Sequence, residues 1–285
     1  MPSRCNIWGD VMRHFEAINQ QDVTAINDTD CCLYLKYKVP LNVFPLQQGT
    51  TGVITGQYLD SVFAYQQVSA INNPQKREYI CFLYIPVKNR DTDEVYAYVL
   101  ESSATMRNVR IIETRHEDSQ GRITSYMHFM FNTDSIEDIK SVASQSTLYV
   151  YSNKIPSDSN YGMEIYNANG ERIFNSNKFI MRVKQIVNKH YNSDTLLPRQ
   201  SYEVGNVSTP NIKKLGVSFT QPQMVLSSGQ NRVHHEINMM NGMLNISVYH
   251  NGQVGAQISG VHTTRVILCE LAGTEDFPVS RRTNI

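Results

Sequence analysis

Apolar and polar positions alternate with a period of two along most of this chain, and that period predicts β-strands. Runs rich in Tyr, Val, Ile and Phe cover 31–39, 78–87, 94–101, 109–115, 122–131 and 147–151, then 179–187, 217–220, 233–238, 243–250 and 265–271. Turn residues punctuate them at 89–91, at 118–121, and at Asn241-Gly242 and Asn251-Gly252, the dipeptides that accept positive φ in tight connections. The one helical segment expected in the first half is 135–141. There Ser135 is placed to cap and Asp138 follows three residues later, with Ile136 and Ile139 on one face. Residues 46–52 read as a loop.

The clearest hairpin lies at 161–176. Met163, Ile165, Ile173 and Phe174 supply its apolar positions, and Asn167-Ala168-Asn169-Gly170 the connection, with Asn169 and Gly170 as its structural turn. Residues 15–28 align with 163–176 without a gap, pairing Glu16 with Glu164, Asn19 with Asn167 and Asn27 with Asn175. The correspondence continues through Leu33 and Met181, Leu35 and Val183, and Lys36 and Lys184. A repeat at this spacing is a duplicated module, because solenoid units run roughly 20–50 residues. Strands, short turns and few helices argue for an all-β chain of two tandem antiparallel β-sandwich domains related by internal duplication. The expected divisions are an attachment segment at 1–12, a first domain at 13–152, a linker at 153–160, a second domain at 161–273 and a tail at 274–285. The first copy is the longer, and residues 45–74 carry much of the excess.

The chain's 285 residues suffice for two cores. Lys+Arg and Asp+Glu are 26 each, so net charge gives no drive toward nucleic acid or an anionic membrane. Charged residues are only 18% of the chain, leaving a polar, uncharged surface of the kind common on extracellular and virion β-proteins. The five cysteines, Cys5, Cys31, Cys32, Cys81 and Cys269, are odd in number and lack Cys-x-x-Cys spacing. They form neither a disulfide framework nor a zinc signature, as expected for a product of a reducing cytoplasm. No apolar run approaches the roughly 18 residues of a membrane span, and the first five residues lack the apolar stretch of a signal peptide.

Nucleotide-binding glycine loops, a Gly-x-Ser-x-Gly elbow and His-Glu-x-x-His are all absent from the sequence. In His234-His235-Glu236 a strand places only His234 and Glu236 on one face, so an ordinary strand is the simpler account. His116-Glu117-Asp118 reads as a solvated loop. Asp91, Asp93 and Glu94 resemble a carboxylate cluster, but in the run 88–94 they read as a soluble hairpin tip. The expectation is therefore no catalytic residue, no metal and no cofactor.

The segment carrying Tyr161, Gly162, Glu164, Asn167, Gly170, Phe174 and Ser176 resembles the opening of a small family of tailed-bacteriophage virion proteins assigned to the tail. That resemblance implies a non-enzymatic structural role in a tail, collar or fibre attachment. It implies partners among other virion proteins and copies of the chain itself, in a homo-oligomer or ring. It implies localisation in the virion tail after synthesis in the host cytoplasm. The alternative is a host-receptor or carbohydrate-binding module, with a depolymerase further off; the single tryptophan, Trp8, is poor provision for a sugar groove. Ile7, Trp8, Val11 and Met12 at one end, and Phe277 and Val279 at the other, fall outside the repeat and are the candidate assembly contacts.

Overall fold

A computed structural model describes residues 16–18, 24–27, 32–48, 63–69, 77–87, 94–104, 107–117, 123–154, 164–166, 170, 172–175, 178–192, 201–208, 212–219, 233–240, 243–250 and 261–280. The all-β expectation holds. The first half contributes β1 (Glu16–Ile18), β2 (Thr24–Asn27), β3 (Tyr34–Pro40), β4 (Leu46–Gln48) and β5 (Phe63–Ser69). It continues through β6 (Arg77–Val87), β7 (Tyr96–Ser102), β8 (Arg107–Glu117), β9 (Ile123–Thr133), helix α1 (Ile136–Ser144) and β10 (Ser146–Ser152). The second half supplies β11 (Glu164–Tyr166), β12 (Arg172–Asn175), β13 (Arg182–Asn192), β14 (Ser201–Ser208), β15 (Leu215–Phe219), β16 (Val233–Met240), β17 (Met243–His250) and β18 (Val261–Glu270).

Ser135 caps α1 as its sequence predicts, its Oγ accepting the Asp138 N–H at 3.0 Å, while Ile139 and Val142 turn inward. β4, β5 and β14 had no place in the sequence expectation. In particular, the supposed loop at 46–52 begins with a strand that pairs parallel to β5.

The centre of the molecule is a six-stranded sheet in the order β13-β18-β15-β7-β10-β3. Its outer three strands on each side come from different halves, and they join where Val217 of β15 pairs with Leu100 of β7. At one end the sheet curls until its edges meet. Tyr34 bridges Ile180, with Leu35 N–H donating to Phe179 O at 2.7 Å and Met181 N–H to Leu33 O at 2.8 Å.

A second sheet of order β4-β5-β6-β9-β8 belongs to the first half, and one of order β14-β17-β16 to the second. Removing β4 and β5 leaves the same pattern twice: β6-β9-β8 and β14-β17-β16. The opening hairpins match as well. Glu16 pairs Asn27 and Ile18 pairs Thr24 around an irregularity; Glu164 pairs Asn175 and Tyr166 pairs Arg172 around the same one.

The agreement reaches single residues. Tyr37 and Leu35 of β3 face successive residues Val150 and Tyr151 of β10, so Lys36 is bulged out. Gln185 and Val183 of β13 face successive residues Leu268 and Cys269 of β18, so Lys184 is bulged out. These two lysines occupy equivalent places in the sequence repeat, and a bulge at a fixed place in a ladder is a designed feature rather than a defect.

Three cores follow from this layout. Central-sheet residues Tyr98, Leu100, Leu148 and Val150 pack on Leu83, Phe129 and Phe131, with Ile139 and Val142 of α1 closing the side. Val187, Val217, Val266 and Leu268 pack on Leu244 in the second half. The opposite face of the central sheet carries the third core, where Leu35, Val99, Tyr149 and Tyr151 from one half meet Cys269 and Leu271 from the other. β10 is thus buried on both faces, which explains its nearly continuous apolar reading. The division expected at 153–160 falls between β10 and β11, and the central sheet passes from one side of it to the other.

Candidate assembly surfaces

The two outer edges of the central sheet are β3 and β13, and they are treated differently. After β18 the chain turns back at Gly273, whose φ of +92° suits a residue without Cβ. The turn is held by Thr274, which donates from Oγ1 to Leu271 O at 2.7 Å, and by Gly273 N–H to Glu275 Oε2 at 2.6 Å. The residues that follow meet β3 at Lys38. Lys38 Nζ donates to Thr274 O and Glu275 O, Ser280 N–H donates to Lys38 O at 2.8 Å, and Lys38 N–H donates to Ser280 Oγ at 3.3 Å.

Phe277 stands edge-on to Phe179 at 5.5 Å between centroids and packs on the shared core. Phe277 therefore spends its apolar surface on its own chain, while Val279, its companion among the candidate contacts, is exposed. Ile7, Trp8, Val11, Met12 and Asn169 lie outside the described residues. Gly170 has φ +80° with no atom near its missing Cβ, so it is a backbone requirement and not a contact. Its neighbours in the ladder, Tyr166 and Arg172, leave five residues between them rather than a two-residue turn.

Charged groups are gathered at the strand bulges. Glu94, expected at a soluble hairpin tip, is instead only 2% exposed. It sits just ahead of β7, where Lys36 Nζ reaches its Oε1 at 2.7 Å and Ser152 donates to the same oxygen. Burial raises its pKa, but hydrogen bonds from Lys36, Ser152 and Tyr96, together with the Lys36 charge, outweigh that and hold the carboxyl below its ordinary value. Across the seam, Glu270 occupies the place of Ser152 in the matching ladder. Burial again raises its pKa, and backbone N–H groups of Lys214, Ala272 and Lys213 with the Lys184 charge bring it below the ordinary value.

The seam is also polar at its rim. Tyr149 Oη donates to Glu101 Oε2 at 2.7 Å, and Lys214 of the other half approaches the same Glu101 oxygen at 3.4 Å. Burial and the Glu101 hydrogen bond push the Tyr149 phenol well above its usual range.

The hairpin motif has a structural explanation. Glu164 accepts from Arg172 at 2.6 Å, from Asn175 at 2.8 Å and from Tyr166 at 2.6 Å, clamping β11 to β12 from one carboxylate. Tyr166 first, then Arg172, lower its pKa. Glu16 and Asn27 stand at the corresponding pair of the first hairpin, so two of the clamp's members recur. The alternation that marks a hairpin in sequence could not reveal this, since the clamp joins residues on opposite strands.

Two cavities are lined by described residues. One, of about 150 Å³, is lined by Phe44, Leu46, Ile139 and Ala143. The other, of about 170 Å³, opens at the start of β13 between Lys178, Arg182 and Glu270. Among the described residues no group of His, Cys, Asp and Glu is placed to hold a metal, Cys81 and Cys269 are free thiols, and no helix is long and apolar enough to cross a membrane. His234 and Glu236 lie within β16, and His116 and Glu117 close β8 rather than forming a loop. Comparisons with family models, with curated proteins and with solved structures each return no match.

Proposed function

We propose that this chain is a non-enzymatic structural component of a tailed-bacteriophage virion, in the tail, a collar or a fibre attachment. The observation that carries the proposal is the 161–176 motif resemblance. Within it, Glu164 and Asn175 are engaged in clamping a hairpin, which is the use a structural protein has for such residues. Supporting it are a neutral, weakly charged composition and polar clusters that join strand to strand. In this account the matching strand orders and matched lysine bulges descend from an internal duplication. The chain works by contacts with other virion proteins and with its own copies in an oligomer or ring, and it resides in the virion tail after synthesis in the host cytoplasm.

The test is mass spectrometry of purified particles with stoichiometry. An integral copy number per particle, a multiple of the tail's rotational symmetry, is the expected result. Absence from particles, or turnover of host polysaccharide by the purified chain, overturns the proposal.

A further inference from the structure

Lys178 and Arg182 line the cavity of about 170 Å³ at the start of β13, whose other wall is the end of β18 and the turn after it, with Glu270, Ala272 and Thr274. Among the described residues neither cationic side chain makes an ion pair or a hydrogen bond. The other charged clusters of the fold use their cations to tie strand to strand, as Lys36 does with Glu94 and Arg172 with Glu164. These two cations tie nothing, and both border the same concavity.

Glu270 gives the cavity a fixed acceptor. Its residue is 8% exposed, and the backbone N–H groups of Lys213, Lys214 and Ala272 donate to its two oxygens at 3.4, 3.1 and 3.3 Å. Those bonds, with the Lys184 charge acting from outside the lining, keep the carboxyl ionised. A carboxylate has about four acceptor sites, so one remains open. Two cations against one carboxylate leave the lining with a single net positive charge. It therefore balances a monoanion, while Glu270 repels an anion of higher charge. The open acceptor site on Glu270 calls for a donor on the same ligand, and a hydroxyl supplies one.

Size narrows the ligand further. A cavity of about 150 Å³ holds one benzene ring, and drug-sized ligands need roughly 300 Å³ or more, so this cavity admits a single six-membered ring. Phe179, held edge-on to Phe277 at 5.5 Å between centroids, gives that ring an apolar wall. We propose that the cavity binds one sugar-acid ring, its carboxylate between Lys178 and Arg182 and a ring hydroxyl donating to Glu270. A free hexuronate and a uronate residue of an acidic saccharide present the same group.

The probe is sodium glucuronate, titrated against the full chain and followed by ligand-observed NMR. Saturable binding is expected, with a dissociation constant on the order of 1 mM, weakened roughly tenfold or more by Arg182→Gln and by Lys178→Gln. Neither side chain holds a hydrogen bond or an ion pair, so both variants keep the fold, which circular dichroism checks. Glucose, which keeps the ring and lacks the carboxylate, and acetate, which keeps the carboxylate and lacks the ring, are each expected to bind at least tenfold more weakly. Inorganic phosphate is expected to do the same, because Glu270 opposes its second charge. A uronate trisaccharide that binds as well as the monosaccharide makes the source a saccharide chain, and one that fails where the monosaccharide binds makes it the free acid. No saturation by about 20 mM glucuronate, glucose binding as well as glucuronate, or affinity indifferent to both substitutions overturns the proposal. Acetate or phosphate binding as tightly as glucuronate also overturns it, by reducing the cavity to an adventitious anion site. None of these outcomes alters the copy number measured in particles, so the site and the virion role fail independently.

Discussion

Lys36 and Lys184 bulge from equivalent strands, yet the buried carboxylates near the two bulges come from different places and are held differently. In the first half the acid is Glu94, on the approach to β7, and it meets the ammonium of Lys36 directly at 2.7 Å. In the second half the position matching Glu94 is Lys213, and the acid has moved to the position matching Ser152, where Glu270 accepts the Lys214 N–H at 3.1 Å. One half neutralises a buried carboxylate with a side-chain cation and a hydroxyl, the other with backbone N–H groups. The common demand is that a buried carboxylate have partners, and either donor set meets it.

The sharpest way to break this comparison is to remove each acid in turn. Glu94→Ala leaves the Lys36 ammonium partly buried without its partner, and a loss of roughly 3–5 kcal/mol is expected. Glu270→Ala strands backbone N–H groups but no charge, and roughly 1–3 kcal/mol is expected. Urea denaturation of both variants measures the difference, and equal losses would mean that the donors are interchangeable in energy as well as in place.

Acid offers a second route to the same contrast. Both glutamates titrate below their ordinary value, so the folded state binds protons less readily than the unfolded one. Their stabilisation is full above about pH 4.3, the unfolded glutamate value, and drains away as pH falls through the lower folded values. A denaturation series between pH 5 and about pH 2 should therefore show a falling limb whose depth is bounded by the carboxylate losses above. Glu94→Gln should flatten it more than Glu270→Gln, and identical slopes would remove the distinction between the sites.

Much of the fold was legible because its determinants are local. The Ser135 cap, the alternating runs of β6, β9 and β17, and the apolar run of β10 were each sufficient to place an element within a few residues. β14 escaped because Gly205 interrupts its alternation at a register shift between Glu203 and Gly205, and β4 because three residues carry no period. Glu94 was misread for a subtler reason. Its neighbours are polar, and what buries it is Lys36 and Ser152, each 58 residues away. The joining of the halves was equally hidden: Val217 and Leu100 pair across the chain with no local mark. For Phe277 the sequence revealed an apolar residue needing cover, but not that Phe179 of the same chain provides it.

The seam between the halves tests whether they behave as one body. Gly216 of β15 would drive an added Cβ into Val99 Cγ1 of β7 and to 2.8 Å from Leu271 Cδ1, and Val99 is too stiff to yield easily. Gly216→Ala is expected to cost roughly 1–3 kcal/mol by overpacking. Its counterpart in the matching ladder is Ala97, which packs half-buried on the same core. Ala97→Gly should cost only about 0.5–1 kcal/mol, the backbone penalty of glycine in a strand. If Gly216→Ala splits a single thermal transition into two, the seam and not the separate cores binds the halves together.

The smallest effect separates the two hairpins. Each encloses five residues between its last ladder pairs, and the gapless alignment sets Asp22 against Gly170. Aspartate is among the few residues other than glycine that enter the left-handed region at modest cost. Around Gly170 there is open space, which removes any steric objection and leaves backbone conformation as the only cost. Gly170→Val should then lose roughly 1–2 kcal/mol, because a β-branched residue resists φ near +80°. Gly170→Asp, the residue that the alignment sets there in the first hairpin, should lose a few tenths of that. Differential scanning calorimetry of the two variants decides the matter: a valine as benign as aspartate would mean that the five-residue connection relaxes out of the left-handed conformation, and that the second hairpin is held by the Glu164 clamp alone.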